Sequence, residues 1–181
     1  MNPPLLLPDR EGRILRATVR LARLLLDAHA ASVFLASTLD ALVLRATSEE
    51  DADHLLGITL APNEGIAGWV FSTGDPAMVS GVTQDPRFSR AATEIGGYLP
   101  DVIVAVPILG EREPIGVLEI IDPGEHFRDD LTVIDIVTEI AEQLGDVLQL
   151  VRAPTENTVY AAIGEAQAVL DGISRELRRG R

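Results

Sequence analysis

Two apolar runs joined by four residues set the terms for this chain. Val102 to Leu109 and Ile115 to Ile121 each have the length and composition of a strand buried on both faces. Gly110-Glu111-Arg112-Glu113 between them is far shorter than the roughly dozen residues that a parallel crossover requires. The runs must therefore pair antiparallel, as a hairpin. Strands so apolar are buried ones, so the rest of the chain has to supply the elements that cover them.

The remaining pattern supplies them. Ser32 to Ala36 and Leu42 to Ala46 read as another hairpin around the turn Ser37-Thr38-Leu39-Asp40. Ile58 to Leu60 and Pro76 to Val79 read as short strands, and Gly65 to Gly74 as a short helix stopped by Gly74. Gly81 to Asp101 is irregular, with the turn formers Asp85-Pro86, Gly96-Gly97 and Pro100 and a short helix over Phe88 to Ile95. Long helices are expected over Arg10 to Ala30 and over Asp129 to Val151, the latter capped by Asp129 or Asp130. The order predicts an α+β fold: an antiparallel sheet with helices packed on one face. Residues 1–9 read as a flexible arm, 10–152 as the domain, and 153–181 as an additional amphipathic helix with a basic end.

Composition removes several chemistries. There is no cysteine, hence no disulfide, thiolate nucleophile or Cys-ligated metal. Every basic residue is Arg, and the net charge of −13 repels phosphate backbones, so nucleic acid is not an expected partner. The N-terminal segment lacks a basic start and a long apolar stretch, and no run is long enough to span a bilayer; a cytoplasmic location without membrane attachment is the expectation. No Gly-rich phosphate loop and no nucleophile elbow is present, so no enzyme activity is expected.

The long helices carry two further patterns. Val133, Val137, Ile140, Leu144, Val147 and Val151 repeat at alternating four and three residues, a heptad-like seam, with Ile134, Ala141 and Leu148 beside it. So wide an apolar surface predicts burial against the sheet and against a second copy; Ile14, Leu21 and Leu25 of the first helix join the expected dimer interface. Arg13, Arg16, Arg20 and Arg23 form one charged stripe, and Asp135, Glu139, Glu142 and Asp146 another of opposite sign. These stripes either face each other or are solvated separately.

Six segments, in order and spacing, resemble the GAF domain family. They are Asn63-Glu64-Gly65-Ile66-Ala67-Gly68-Trp69-Val70, Thr73-Gly74-Asp75-Pro76, Gln84-Asp85-Pro86-Arg87-Phe88, Val104-Ala105-Val106-Pro107-Ile108, Ile115-Gly116-Val117-Leu118-Glu119-Ile120 and Phe127-Arg128-Asp129-Asp130-Leu131. The resemblance implies a six-stranded antiparallel sheet, terminal helices on one face and a pocket on the other, roofed by the segment from Val79 to Asp101. It implies a signalling domain that senses a small molecule, or one that binds nothing and serves as a dimerisation or protein-interaction module. Asp122-Pro123 stands where cyclic-nucleotide-binding relatives often have Asn-Lys, and the missing cysteine excludes covalent bilin attachment and thiol-based methionine sulfoxide reduction. No cofactor is assigned. The partners it implies are a second copy, a separate output protein and a small-molecule ligand.

Under the resemblance, the pocket candidates are Val79, Thr83, Asp85, Arg87, Phe88, Thr93, Ile95, Tyr98, Leu99, Val104, Val106 and Glu119. Phe88, Ile95, Tyr98 and Leu99 would be apolar walls or simply fill the space; Thr83, Thr93 and Arg87 would be polar handles. Arg87 beside Asp85 is either an anion grip or a local salt bridge. His54 in its acidic loop reads as solvated, and His126 beside Phe127 as a turn residue rather than a haem ligand.

Overall fold

The computed structural model describes residues 10–37, 41–49, 52–61, 63–88, 97–128 and 130–153. Helix α1 (Arg10–Leu25) leads into β1 (Ala30–Ala36) and β2 (Leu42–Thr47). Then come β3 (Thr59–Leu60), α2 (Gly65–Thr73), β4 (Ala77–Ser80), β5 (Val102–Leu109), β6 (Pro114–Ile121) and α3 (Thr132–Arg152). One sheet contains all six strands in the order β3-β2-β1-β6-β5-β4, and every pairing is antiparallel. The central hairpin is β5–β6, with Val106 opposite Leu118 and Ala105 opposite Glu119.

Strand periodicity divides the core in two. Val33 and Leu35 of β1, Val104, Val106 and Ile108 of β5, and Leu118 and Ile120 of β6 point to one face. There they meet Leu15, Val19, Ala22 and Leu26 from the first helix and its exit, and Val133, Val137, Ala141, Leu144 and Leu148 of α3. The intervening residues Phe34, Ile103, Ala105 and Val117 point to the other face, together with Leu42 and Leu44 of β2, under Ile66, Ala67 and Val70 of α2. The terminal helices thus cover one side and α2 the other.

Two glycines permit the closest approaches. A Cβ on Gly116 would overlap the Phe34 carbonyl oxygen across the β1–β6 ladder, and one on Gly145 would overlap the Leu109 carbonyl oxygen beneath α3. Helix α1 ends earlier than its apolar periodicity suggests. The chain reverses at Asp27, whose φ is 46°, while Ala28 N–H bonds back to the Arg23 carbonyl. Gly74 ends α2 in the left-handed conformation as expected, its N–H on the Val70 carbonyl.

The expected seam on α3 is corrected by this packing. Val133, Val137 and Leu144 are fully used inside the protomer, against the sheet, so they cannot also form a surface seam. Sheet contact follows the 3.6-residue period through 133, 137, 141, 144 and 148 and splits the apparent heptad row. Ile14 and Ile140 pack partly against the same core. Leu21, Leu24 and Leu25 of α1 remain 59%, 75% and 53% exposed, and Val147 and Val151 of α3 are exposed as well. The chain divides into two compact units, Met1–Gln149 and Leu150–Arg181, and only the end of α3 is described in the second. The additional C-terminal helix expected from the sequence lies outside the described residues. Among these residues, no helix is long and apolar enough to cross a membrane.

Candidate functional site

Between the α2-covered face of the sheet and α2 itself lies a cavity of about 130 Å3. Its floor comes from Ser32 and Phe34 of β1, Leu44 and Thr47 of β2, Ile103 of β5, and Glu119 and Ile121 of β6. Gly65, Ile66 and Ala67, the first turn of α2, form one wall; Leu55, Ile58 and Leu60 form another. Phe88, Tyr98 and Pro100, from either end of the irregular segment, close it with His29 and Glu49. Most of this lining is apolar.

The polar exception is a row across the sheet. Thr47 pairs with Ser32 on adjacent strands, Ser32 with Glu119, and Glu119 with Ala105, so all four point to the same side. Ser32 Oγ and Thr47 Oγ1 are hydrogen-bonded at 3.1 Å. Glu119 is 9% exposed, and among the described residues no hydrogen bond or ion pair reaches its carboxyl, whose oxygens open onto the cavity and are not sealed in the core. Desolvation by burial raises its pKa from 4.5 to about 7. Buried acids are ordinarily paired, so a desolvated carboxyl that faces a cavity without a protein donor is the unusual feature of this face.

The mouth is held differently. Tyr98 donates its hydroxyl to Asp122 Oδ2 at 2.6 Å, and its ring stacks on His29 with centroids 3.7 Å apart. Asp122 Oδ1 also accepts from the backbone N–H groups of Asp101 and Val102, at 3.0 and 2.8 Å. Arg128 braces the same corner, donating from Nε to the Pro123 carbonyl and bridging to Asp101 at 3.2 Å. The bond to Asp122, with burial and that negative charge adding to it, pushes the Tyr98 phenol up to about 12. Asp122 itself has a φ of 44°, a left-handed turn at the exit of β6 that brings its side chain back beneath the chain entering β5.

Of the pocket candidates, the structure brings Phe88, Tyr98 and Glu119 to the cavity. Val79 shares the α2-side core without lining the cavity. Val104 and Val106 are on the wrong side: they face the terminal helices, and their neighbour Ile103 takes the lining position. Leu99 is 58% exposed and Thr83 is also at the surface. Asp85 and Arg87 form the local alternative. Their side chains are bridged at 2.7 and 2.9 Å, Asp85 also accepts the Arg87 backbone N–H, and the guanidinium lies 4.6 Å over the Trp69 ring. The side-chain bond from Arg87 lowers the Asp85 pKa, and its counterpart raises that of Arg87. Thr93 and Ile95 lie outside the described residues.

Sequence reasoning missed His29, Ser32, Phe34, Thr47, Glu49 and Ile58. Ser32 had a usable signal, as the lone polar residue in Ala31-Ser32-Val33-Phe34-Leu35, but nothing local ties it to Glu119. Among the described residues, no group of three or more His, Asp or Glu side chains is placed to hold a metal.

Comparison with known proteins places this arrangement. The family model described as GAF domain matches residues 11–148. A probable 3',5'-cyclic phosphodiesterase of Caenorhabditis elegans, pde-5, is 28% identical over 127 residues, covering 64% of this chain; the chain spans only 17% of that protein's length. The GAF domain of a phosphoenolpyruvate-protein phosphotransferase from Coxiella burnetii superposes with a TM-score of 0.72 at 21% identity, covering 80% of this chain and 86% of that one. Residues 122 to 287 of a methyl-accepting chemotaxis protein give 0.68 at 19% identity, covering 79% and 93%. At such identities the structural likenesses speak to fold alone.

Proposed function

The chain belongs to the GAF domain family, and from that premise we propose that it is a non-catalytic sensory domain that binds a small molecule in the cavity between α2 and the sheet. Domains of this family are generally sensory or regulatory, which supports the broad class. The observation that carries the finer reading is Glu119: a largely buried carboxyl with no partner among the described residues, lining a mostly apolar cavity. A ligand that enters the cavity and meets that group gives the carboxyl a donor and the apolar lining new contacts. Phe88 and Tyr98 line the same space, so occupancy biases the placement of these two side chains and of the helices behind the sheet.

The domain acts as a dimer in this reading. The outward leucines of α1 offer apolar surface, and the exposed Arg stripe of α1 complements the exposed acidic stripe of α3 in a second copy. Output then comes from a separate protein that responds to the pair.

A thermal-shift screen tests the ligand reading. Cyclic nucleotides, small acids, small amines and haem are added singly, and a true ligand raises the melting temperature with its concentration. The rise should vanish in Ala67→Leu, which fills the cavity from the α2 wall. A screen without any shift, or one whose shift survives Ala67→Leu, returns the domain to the ligand-free interaction class. Sedimentation of the purified chain tests the dimer: a monomer at all concentrations would reject it.

A further inference from the structure

We propose that the ligand is a compact cation, an amine, amidine or guanidine on a small apolar body, seated with its N–H groups on the Glu119 carboxylate; the proposal rests on the cavity being a ligand site. Three observations converge on this chemistry. Glu119 is nine-tenths buried, and among the described residues no donor reaches its carboxyl, which leaves room for a donor with positive charge. The Ser32 and Thr47 hydroxyls beside it add lone pairs at the same pole. Finally, among the described lining residues Glu49 is the only other carboxylate and there is no Arg. The Arg87 guanidinium is turned to Asp85 and Trp69.

Anions are disfavoured by the same inventory. The first turn of α2 does present N–H groups to the cavity through Gly65, Ile66 and Ala67. Glu64, the N-cap, makes no side-chain bond to that helix end, but its carboxylate, which accepts the Ala61 N–H at 3.1 Å, adds negative charge beside it. An anion would meet two carboxylates in the cavity and a third beside it, in a chain of net charge −13.

Size narrows the body of the ligand. A cavity of about 130 Å3 is of the order that accepts one six-membered ring, since an engineered cavity of roughly 150 Å3 takes benzene. Phe34, Ile58, Leu60, Ile66 and Phe88 give that ring apolar walls.

Binding is also coupled to protons. The titratable groups lining the cavity with Glu119 are His29 at the mouth, Glu49 and Tyr98; α2 and β5 contribute only apolar side chains and backbone. A cation favours the ionised carboxyl and therefore binds less tightly as the solution is acidified.

Three probes of one shape separate the possibilities by titration calorimetry: benzamidine, neutral benzamide and anionic benzoate. At about pH 8, benzamidine should bind roughly tenfold or more tighter than benzamide, the worth of a charge-assisted hydrogen bond, and benzoate should not saturate. Glu119→Gln should collapse the ratio of benzamidine to benzamide affinity toward one, and in the wild type that ratio should shrink as pH falls through the range where Glu119 protonates. Methyl resonances of Ile58, Ile66 and Ile103 should move on titration while those of Val104 and Leu118, behind the sheet, stay still. Equal binding of benzamidine and benzamide, untouched by Glu119→Gln, overturns the cation and leaves the cavity reading standing. Tightest binding by benzoate overturns the cation outright. No movement of the three isoleucine methyls with any probe overturns both readings.

Discussion

The two faces of one sheet are finished to different standards. Behind the sheet, Leu118, Ile120, Val104 and Val106 close against α1 and α3 with only apolar side chains, most of them fully buried. In front, the same strands present Ile103, Glu119 and Ile121 to a cavity of about 130 Å3, with Ser32 of β1 beside Glu119. A single hairpin supplies both faces, so composition is not the cause. The difference lies in alternation: on β6, Leu118 and Ile120 go back and Glu119 goes forward. The back face holds the fold together, and the front face gives up stability to keep a desolvated carboxyl facing a cavity, the exchange expected where a site is built into a scaffold.

The sharpest way to break this contrast is to truncate each face in turn. Leu118→Ala, behind the sheet, should cost about 2–5 kcal/mol, whereas Ile58→Ala, at a partly buried position on the cavity wall, should cost roughly half that or less. Chemical denaturation of the two variants reads the difference, and equal losses would erase the distinction between the faces.

Glu119 gives the next largest effect, of opposite sign. Its folded pKa of about 7 lies above the ordinary 4.5. The native state therefore holds the extra proton between those values, and stability falls as pH rises through that window and then levels off. Glu119→Gln removes the decline: the variant should gain on the order of 3 kcal/mol over wild type above neutrality and little near the lower limit. Melting temperature against pH for both proteins checks it.

The mouth is a smaller lever. Tyr98→Phe removes one hydrogen bond to the Asp122 side chain, which keeps its two backbone donors; the loss should be about 1–2 kcal/mol. Hydrogen exchange should rise at residues 97–102 and stay unchanged in β6 and α3. Smallest is the Asp85–Arg87 pair, local and partly solvated. Arg87→Ala should cost under about 1 kcal/mol and leave probe binding at Glu119 as it was, because its guanidinium is turned to Trp69 and Asp85.

The architecture was legible because its signals are local. The tight connection at Gly110-Glu111-Arg112-Glu113 dictates antiparallel pairing, Gly74 ends α2, and the apolar stripe of α1 marks its buried side. The site was legible only where chemistry broke the pattern. Glu119 stands out in an apolar strand, and Phe88 and Tyr98 flank the irregular segment. By contrast, Val102 to Leu109 is apolar at every position, so nothing in the run says which residues face which side; Val104 and Val106 were assigned forward and in fact point back. The α3 seam failed for a related reason. A helix with apolar residues on more than one face fits both a heptad and a 3.6-residue period, and packing on the sheet selects the second. Ser32 and Thr47 meet Glu119 through strand pairing between distant segments, which no local pattern contains.

The most direct measurement is the titration of the Glu119 side-chain carboxyl by carbon-13 NMR, without and with benzamidine. A midpoint at about 7 in the free protein, moving down when the probe is added, is the expected result. A midpoint at the ordinary value of 4.5, indifferent to the probe, would mean that the carboxyl is neither isolated nor waiting for a cation.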